Sequence, residues 1–120
     1  MKIVIGGQID KDKIRDMVLD LVGDDVQVDI KSDLDAAMAI KNGDYDYYIG
    51  ACNTGGGGAL AMAMALLGSN NCSTISMPGS IKSDEFIIEE IKKGKKAFGF
   101  TAQHAEQVLP VLIKEIIKNN

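Results

Sequence analysis

Short apolar segments typical of β-strands alternate with segments of helical periodicity along the whole chain. The strand-like segments are residues 2–5, 26–30, 47–51, 72–77 and 97–100. Helices are predicted between Asp10 and Gly23, between Asp33 and Gly43, over 59–67, between Ser83 and Gly94, and over 102–118. Strands that alternate with helices in this way predict a parallel sheet covered by helices on both faces.

The length and pattern favour one arrangement of these elements. We expect residues 1–120 to form a single α/β domain, a three-layer sandwich with a five-stranded parallel sheet in the flavodoxin-like order 2-1-3-4-5. The alternating apolar residues Val26, Val28 and Ile30 suit an edge strand. In this order the loops at 6–8 and 52–58 face each other across the crevice where such folds bind ligands.

Four consecutive glycines connect the third strand to the third helix. Without Cβ atoms, the backbone can present its N–H groups to a bound molecule, and the helix that follows adds unpaired N–H groups. This arrangement predicts a site for an anion or a polarised oxygen, although a flexible glycine linker would have the same composition. The predicted ligand-binding residues are Gly7, Gln8, Asn53, Thr54, Gly55, Gly56, Gly57 and Gly58.

Two residues are candidates for catalysis. Cys52 ends the third strand just before the glycines, and a thiol before a helix N-terminus ionises more easily than usual. His104 follows the fifth strand, at the same edge of the predicted sheet, where it could transfer a proton. The alternatives are a buried, inert thiol and an exposed helix histidine, and core packing explains Cys72.

Composition excludes several functional classes. The net charge of −4 and the pI of about 4.9, without basic clusters that include aromatic residues, give no reason to expect nucleic-acid binding. We expect no leader peptide, no membrane insertion and a cytoplasmic location, with two reduced cysteines. One histidine and two cysteines lack the spacing of a zinc site, and the glycines follow the wrong strand for a dinucleotide motif. We therefore predict neither a metal nor a cofactor.

The centre of the chain carries no charge, because every residue between Asp46 and Lys82 is neutral. The helix at 59–67 therefore has no polar face, which is typical of a helix buried on all sides. We expect a second copy of the chain to cover this helix in a homodimer or larger oligomer. Coverage by neighbouring elements of the same chain is the alternative.

The chain resembles a known bacterial family. The similarity extends over nearly all residues and is most evident in the segment Asp44-Tyr45-Asp46-Tyr47-Tyr48-Ile49-Gly50-Ala51-Cys52-Asn53-Thr54-Gly55. On these residues the chain resembles the uncharacterised YhfU-like proteins. That resemblance implies no established activity.

A second, local resemblance covers residues 36–58, which are similar to the middle of type B ribose-5-phosphate isomerases. Cys52, Thr54, Gly55 and Gly57 fit that family's C-G-T-G-x-G pattern, whereas Asn53 replaces its first glycine. Gly7-Gln8 stands where the family has Asp-His, and its phosphate-binding arginines have no clear equivalent. The resemblance implies that Cys52 acts as a base beside a carbonyl and that glycine N–H groups stabilise the enediolate oxygen.

Three functions are compatible with these features. The first is binding of a small anionic or sugar-phosphate-like metabolite at the glycine-rich loop after the third strand. The second is an isomerase-like enzyme that uses Cys52 as its base. The third is a non-catalytic interaction subunit, for example of a transport system, with the uncharged helix as its contact surface.

Overall fold

A computed structural model describes residues 1–53 and 56–120 of the chain. The strands are β1 (Lys2–Gly7), β2 (Gln27–Ile30), β3 (Tyr47–Cys52), β4 (Cys72–Thr74), β5 (Ser76–Met77), β6 (Ser80–Ile81) and β7 (Ala97–Thr101). The helices are α1 (Lys11–Leu21), α2 (Asp33–Lys41), α3 (Gly56–Ala59), α4 (Ala61–Leu67), α5 (Asp84–Lys92) and α6 (Ala105–Asn119). Single 3₁₀ turns occupy Ser69–Asn71 and Ala102–His104.

Five strands form one sheet in the order β2-β1-β3-β7-β4, and every pair in it is parallel. Helices α1, α5 and α6 contribute to the hydrophobic core on one face of the sheet, and α2 and α4 contribute to the core on the other. The predicted α/β three-layer sandwich with a five-stranded parallel sheet is therefore confirmed. The central strand, β3, is buried at all six residues.

The predicted order of the last two strands is wrong. The strand expected at the far edge, β7, lies between β3 and β4, so the order in terms of the five predicted strands is 2-1-3-5-4. All five residues of β7 are buried, whereas β4 has only three residues and suits an edge. The chain thus doubles back across the sheet after β4, and α5, which connects β4 to β7, lies on the same face as α1.

Two predicted elements are divided in the structure. The strand expected over 72–77 ends as β4 at Thr74, and Ser76–Met77 pairs antiparallel with Ser80–Ile81 around a turn at Pro78 and Gly79. Gly79 has φ +76°, which suits the third position of a type II turn. The helix expected over 59–67 begins earlier, as the short helix α3, and continues as α4 after Leu60.

The helix ends follow the predictions in part. Ser83 caps α5 by accepting a hydrogen bond from the Phe86 N–H, as expected. The cap of α2 is Ser32 rather than Asp33, because the Ser32 hydroxyl accepts from the Asp35 N–H. The Asp10 side chain makes no capping hydrogen bond within the described residues, and its backbone is left-handed.

Candidate functional site

The carboxyl ends of three neighbouring strands meet at one edge of the sheet. Gly7 at the end of β1 pairs in register with Ala51 of β3, and Cys52 pairs in register with Thr101 of β7. The Gln8 N–H continues this contact by donating a hydrogen bond to the Ala51 carbonyl at 3.0 Å. The predicted proximity of the loops after the first and third strands is therefore present, and β7 adds a third strand end beside them.

Three glycines lie side by side shortly before these strand ends, and they leave space over one face of the sheet. Gly6, Gly50 and Gly99 lie in register on the three strands. A Cβ atom at Gly50 would lie 3.0 Å from the Tyr48 ring, and one at Gly99 would lie 2.6 Å from Cγ of Leu60. The glycines therefore allow the Tyr48 ring and the segment after α3 to approach the sheet closely.

The next layer toward the edge carries the polar groups. Side chains alternate along a strand, so Cys52 and Thr101 lie on the same face as Gly50 and Gly99, beneath α3. The Gln8 side chain reaches this face as well, since a Cβ atom at Gly58 would lie 2.6 Å from its Oε1 atom. A carboxamide, a thiol and a hydroxyl from three different strand ends are thus assembled on one face.

The hydroxyl of Tyr48 connects the elements around this layer. It accepts a hydrogen bond from the Gly7 N–H at 2.9 Å, and it lies 2.5 Å from Oδ1 of Asp33 and 2.7 Å from the Ala59 carbonyl oxygen. Burial and the neighbouring Asp33 carboxylate raise the pKa of Tyr48 well above its usual value, so the phenol stays protonated. Tyr48 therefore joins the end of β1, the start of α2 and the end of α3.

Ser76 connects β7 to His104. Its hydroxyl accepts a hydrogen bond from the Thr101 N–H at 2.9 Å and lies 3.0 Å from Nδ1 of His104. This contact fixes one ring nitrogen of the half-buried imidazole. The sequence prediction placed His104 two strands away from Cys52, but β7 is adjacent to β3, so the two residues follow neighbouring strands.

Thr101 precedes the last helix but does not cap it. The side chain makes no capping bond within the described residues, and the helix that follows begins with a 3₁₀ turn. Thr101 is only 3 % exposed, yet its Oγ1 atom has no hydrogen-bond partner among residues 1–53 and 56–120. Such a buried, unsatisfied hydroxyl is uncommon.

The structure locates most of the predicted site residues. Gln8 and Asn53 are exposed at the edge, whereas Cys52 lies below them and is only 2 % exposed. The helix α3 contains Gly56, Gly57 and Gly58, and the predicted ligand-binding residues Thr54 and Gly55 lie outside the described residues. Cys72 is a buried residue of the core next to α2 and α4, where burial raises the pKa of its thiol.

Sequence reasoning missed the roles of Thr101, Ser76 and Tyr48. The sequence indicates that Gly99 and Thr101 share one face of their strand. It did not place the Thr101 hydroxyl beside Cys52, because β7 was not predicted to lie next to β3. No sequence signal identifies Ser76, because it lies in what was predicted to be an uninterrupted strand. Tyr48 resembles any other aromatic core residue until its hydroxyl contacts are seen.

The lysines near this edge have other partners. Nζ of Lys11 donates a hydrogen bond to the Lys31 carbonyl at 3.0 Å, and Nζ of Lys82 lies 5.2 Å from the centre of the Phe86 ring. The amide of Gln8 and the hydroxyls of Thr101 and Ser76 carry no charge, whereas the Asp33 carboxylate lies beside the Tyr48 hydroxyl. The contacts of both lysine Nζ atoms are thus with residues outside the layer that carries Gln8, Cys52 and Thr101.

The rest of the described residues offers no metal centre and no helix that could cross a membrane. No group of three or more His, Cys, Asp or Glu side chains in residues 1–53 and 56–120 could hold a metal ion. None of the helices in that part of the chain has both the length and the apolar character needed to cross a membrane. A groove of about 270 Å³ on α5 and α6 shares no residue with the strand ends; it is lined by Asp84, Ile88, Val111, Lys114, Glu115 and Lys118.

Comparison with known proteins gives a family but no activity. Residues 1–116 match the family described as "Protein of unknown function DUF2620". The chain is 48% identical over 90 residues to the uncharacterized protein YhfU of Escherichia coli strain K12, an alignment that covers 75% of this chain and 77% of YhfU. Proteins of the same description from Escherichia coli O6:H1 and Shigella flexneri match equally well. No solved structure matches the chain. The resemblance to YhfU-like proteins is thus confirmed, and the chain belongs to the DUF2620 family of proteins of unknown function.

Proposed function

We propose that the protein is a cytoplasmic binding protein for a small polyhydroxylated or anionic metabolite, which binds at the carboxyl edge of β1, β3 and β7. One observation carries this proposal: Gln8, Cys52 and Thr101 from three strand ends share the face beneath α3. Ligand sites in open α/β sheets lie at this edge, where a few convergent polar groups fix the orientation of the ligand. The glycines of α3 support it further, because a backbone without Cβ atoms can approach a ligand.

Alkylation of Cys52 tests this proposal directly. Both thiols are buried, Cys52 at 2 % and Cys72 at 5 % exposure. We expect iodoacetamide at neutral pH to label Cys52 before Cys72, because Cys52 precedes the N-terminus of a helix, whereas burial raises the pKa of the Cys72 thiol. Sugars, sugar phosphates, polyols and carboxylates should be screened for compounds that slow this labelling. The matched controls are the Cys52→Ala and Cys72→Ala variants, each of which leaves one thiol to be followed by mass spectrometry. The proposal is wrong if no compound slows the labelling of Cys52 or raises the melting temperature.

An isomerase-like enzyme with Cys52 as its base is the second candidate. The observation in its favour is that β3 and β7 are neighbours, so Cys52 and the Ser76-bound His104 follow adjacent strands. Two groups able to transfer protons would then act at one edge. The Cys52→Ser variant separates the candidates, since an enzyme would lose on the order of 100-fold in rate whereas a binding protein would keep its affinity within a few-fold.

The proposal includes a homo-oligomer formed through α4. Met62 and Met64 on this uncharged helix are 42 % and 38 % exposed, and the adjacent helix α2 exposes Leu34 and Met38. Elements of the same chain therefore leave part of α4 uncovered. An uncharged surface can face its own copy without repulsion between like charges, as a two-fold interface requires.

A charge on α4 should separate the copies. We expect Met62→Lys to reduce the mass in solution to that of the monomer while the chain stays folded, because an exposed lysine is tolerated but a buried interface lysine is not. Met77→Lys is the matched control. Met77 is 43 % exposed, about as much as Met62, but it lies on β5 and not on α4. Light scattering after size-exclusion chromatography measures both masses. A monomeric unmodified protein, or a Met62→Lys variant with unchanged mass, would exclude this interface.

A further inference from the structure

We propose that the site beneath α3 takes a neutral polyhydroxylated ligand, a free sugar or polyol, and that Thr101 Oγ1 binds one of its hydroxyls. This inference rests on the proposed function and narrows its ligand class. It assigns a ligand contact to Thr101.

The hydroxyl of Thr101 is buried and unsatisfied within the described residues. Oγ1 is buried and has no hydrogen-bond partner among the described residues, while the N–H of the same residue is occupied by Ser76. A buried hydroxyl without a partner destabilises the folded state, and valine would fill the same space without that cost. A threonine at this position is therefore best explained by a partner that joins it when the ligand binds.

The Thr101 side chain faces α3. Two residues earlier on β7, a Cβ atom at Gly99 would contact Leu60 and Ala59, so this face of the strand points toward α3. Thr101 lies on the same face by alternation and pairs in register with Cys52. The Thr101 side chain is thus directed to the layer that Cys52 and Gln8 share.

The charges around the site favour a neutral ligand over a phosphate ester. A phosphate monoester carries about −1.5 to −2 charges at neutral pH, and burying that charge is costly unless a cation pairs with it. Among the described residues, no Lys or Arg side chain makes a hydrogen bond or ion pair with Gln8, Thr101 or Tyr48, and Asp33 adds a negative charge at the Tyr48 hydroxyl. A ligand hydroxyl donates and accepts hydrogen bonds without charge, so it matches an amide, a thiol and a threonine hydroxyl.

Matched pairs of ligands test the class. Isothermal titration calorimetry should compare ribose with ribose 5-phosphate, ribitol with ribitol 5-phosphate, and sorbitol with sorbitol 6-phosphate, with inorganic phosphate as a separate probe. We expect at least one free compound to bind at least tenfold more tightly than its phosphate ester, and inorganic phosphate not to bind. Tighter binding of the esters would overturn the neutral class and leave the proposed function standing. If none of these probes binds, the class is also wrong, and protection of Cys52 from alkylation by other compounds then decides the proposed function.

Two variants test the role of Thr101. Thr101→Val removes the hydroxyl and keeps the shape, so we expect at least a tenfold loss of affinity for the free compound with a melting temperature unchanged or raised by up to about 5 °C. Thr101→Ser keeps the hydroxyl and should bind within a few-fold of the unmodified protein. A merely structural threonine would give the opposite pattern, a lower melting temperature and unchanged affinity in Thr101→Val. That pattern would overturn the assignment of Thr101.

Discussion

Replacing Gly7 with alanine should lower the free energy of unfolding by more than about 4 kcal/mol, enough to leave the chain largely unfolded at 37 °C. Gly7 has φ +79°, a conformation that costs other residues about 1–2 kcal/mol. A Cβ atom there would also lie 2.6 Å from the backbone nitrogen and 2.8 Å from the carbonyl oxygen of Ala51. Those atoms belong to the buried central strand, which cannot move aside without disturbing both of its neighbours. Urea unfolding followed by circular dichroism measures the loss.

Gly43 provides the matched control for this variant. Its φ of +80° is nearly the same, but no described atom lies within 4 Å of the position that a Cβ atom would occupy. Gly43→Ala should therefore cost only about 1 kcal/mol, from the backbone conformation alone. The difference between the two losses of unfolding free energy gives the contribution of the close contact between β1 and β3. Equal losses would mean that this contact is not rigid.

Tyr48→Phe should cost about 2–4 kcal/mol of stability, although it removes a single oxygen atom. The phenol is fully buried, and its loss would leave the Gly7 N–H, the Asp33 carboxylate and the Ala59 carbonyl without this partner. A buried group that loses its hydrogen-bond partner costs more than the bond itself contributes. Urea unfolding again gives the magnitude.

Tyr45→Phe is the matched control for Tyr48→Phe, because the Tyr45 hydroxyl also bonds a carboxylate, that of Asp29, but nearer the surface. The free energy of unfolding should fall by less than about 1 kcal/mol in Tyr45→Phe.

The pH dependence of stability gives a second test of Tyr48. The folded state raises the pKa of Tyr48, so stability is retained below the unfolded value of 10.0 and lost as pH rises above it. Tyr48→Phe should lose less than the unmodified protein between pH 9 and pH 11. Parallel pH curves would mean that Tyr48 does not contribute to this loss.

The alternation of strand and helix segments was sufficient to predict the parallel sheet and its two helix layers. Local periodicity could not give the position of β7, because the residues Ala97–Thr101 would suit any fully buried strand. The decisive property was the short length of β4, which becomes visible only when the chain turns into the β5–β6 hairpin. Strand order depends on the whole sheet, so a wrong predicted position for β7 also gave a wrong position for β4.

The candidate site, like the fold, was predicted only in part. Gly7, Gln8 and Cys52 were placed together correctly because the first and third strands are neighbours in the predicted order and in the structure. Thr101 and His104 were assigned to the far edge because their strand was, and Ser76 was not considered. The contacts of Tyr48 link residues that are far apart in the chain, and no local pattern marks such links.

The insertion of β7 between β3 and β4 has a consequence for how the protein is made. On the ribosome, a strand that pairs only with a later one must wait for it, and β4 has no other partner in the sheet that the described residues form. Until residues 97–101 have been synthesised, β3 presents an open edge to the solvent and to other nascent chains, which is a hazard for aggregation. Closure of this sheet is therefore a late event of synthesis, and a chain interrupted before β7 would lack both the partner of β4 and the cover of β3.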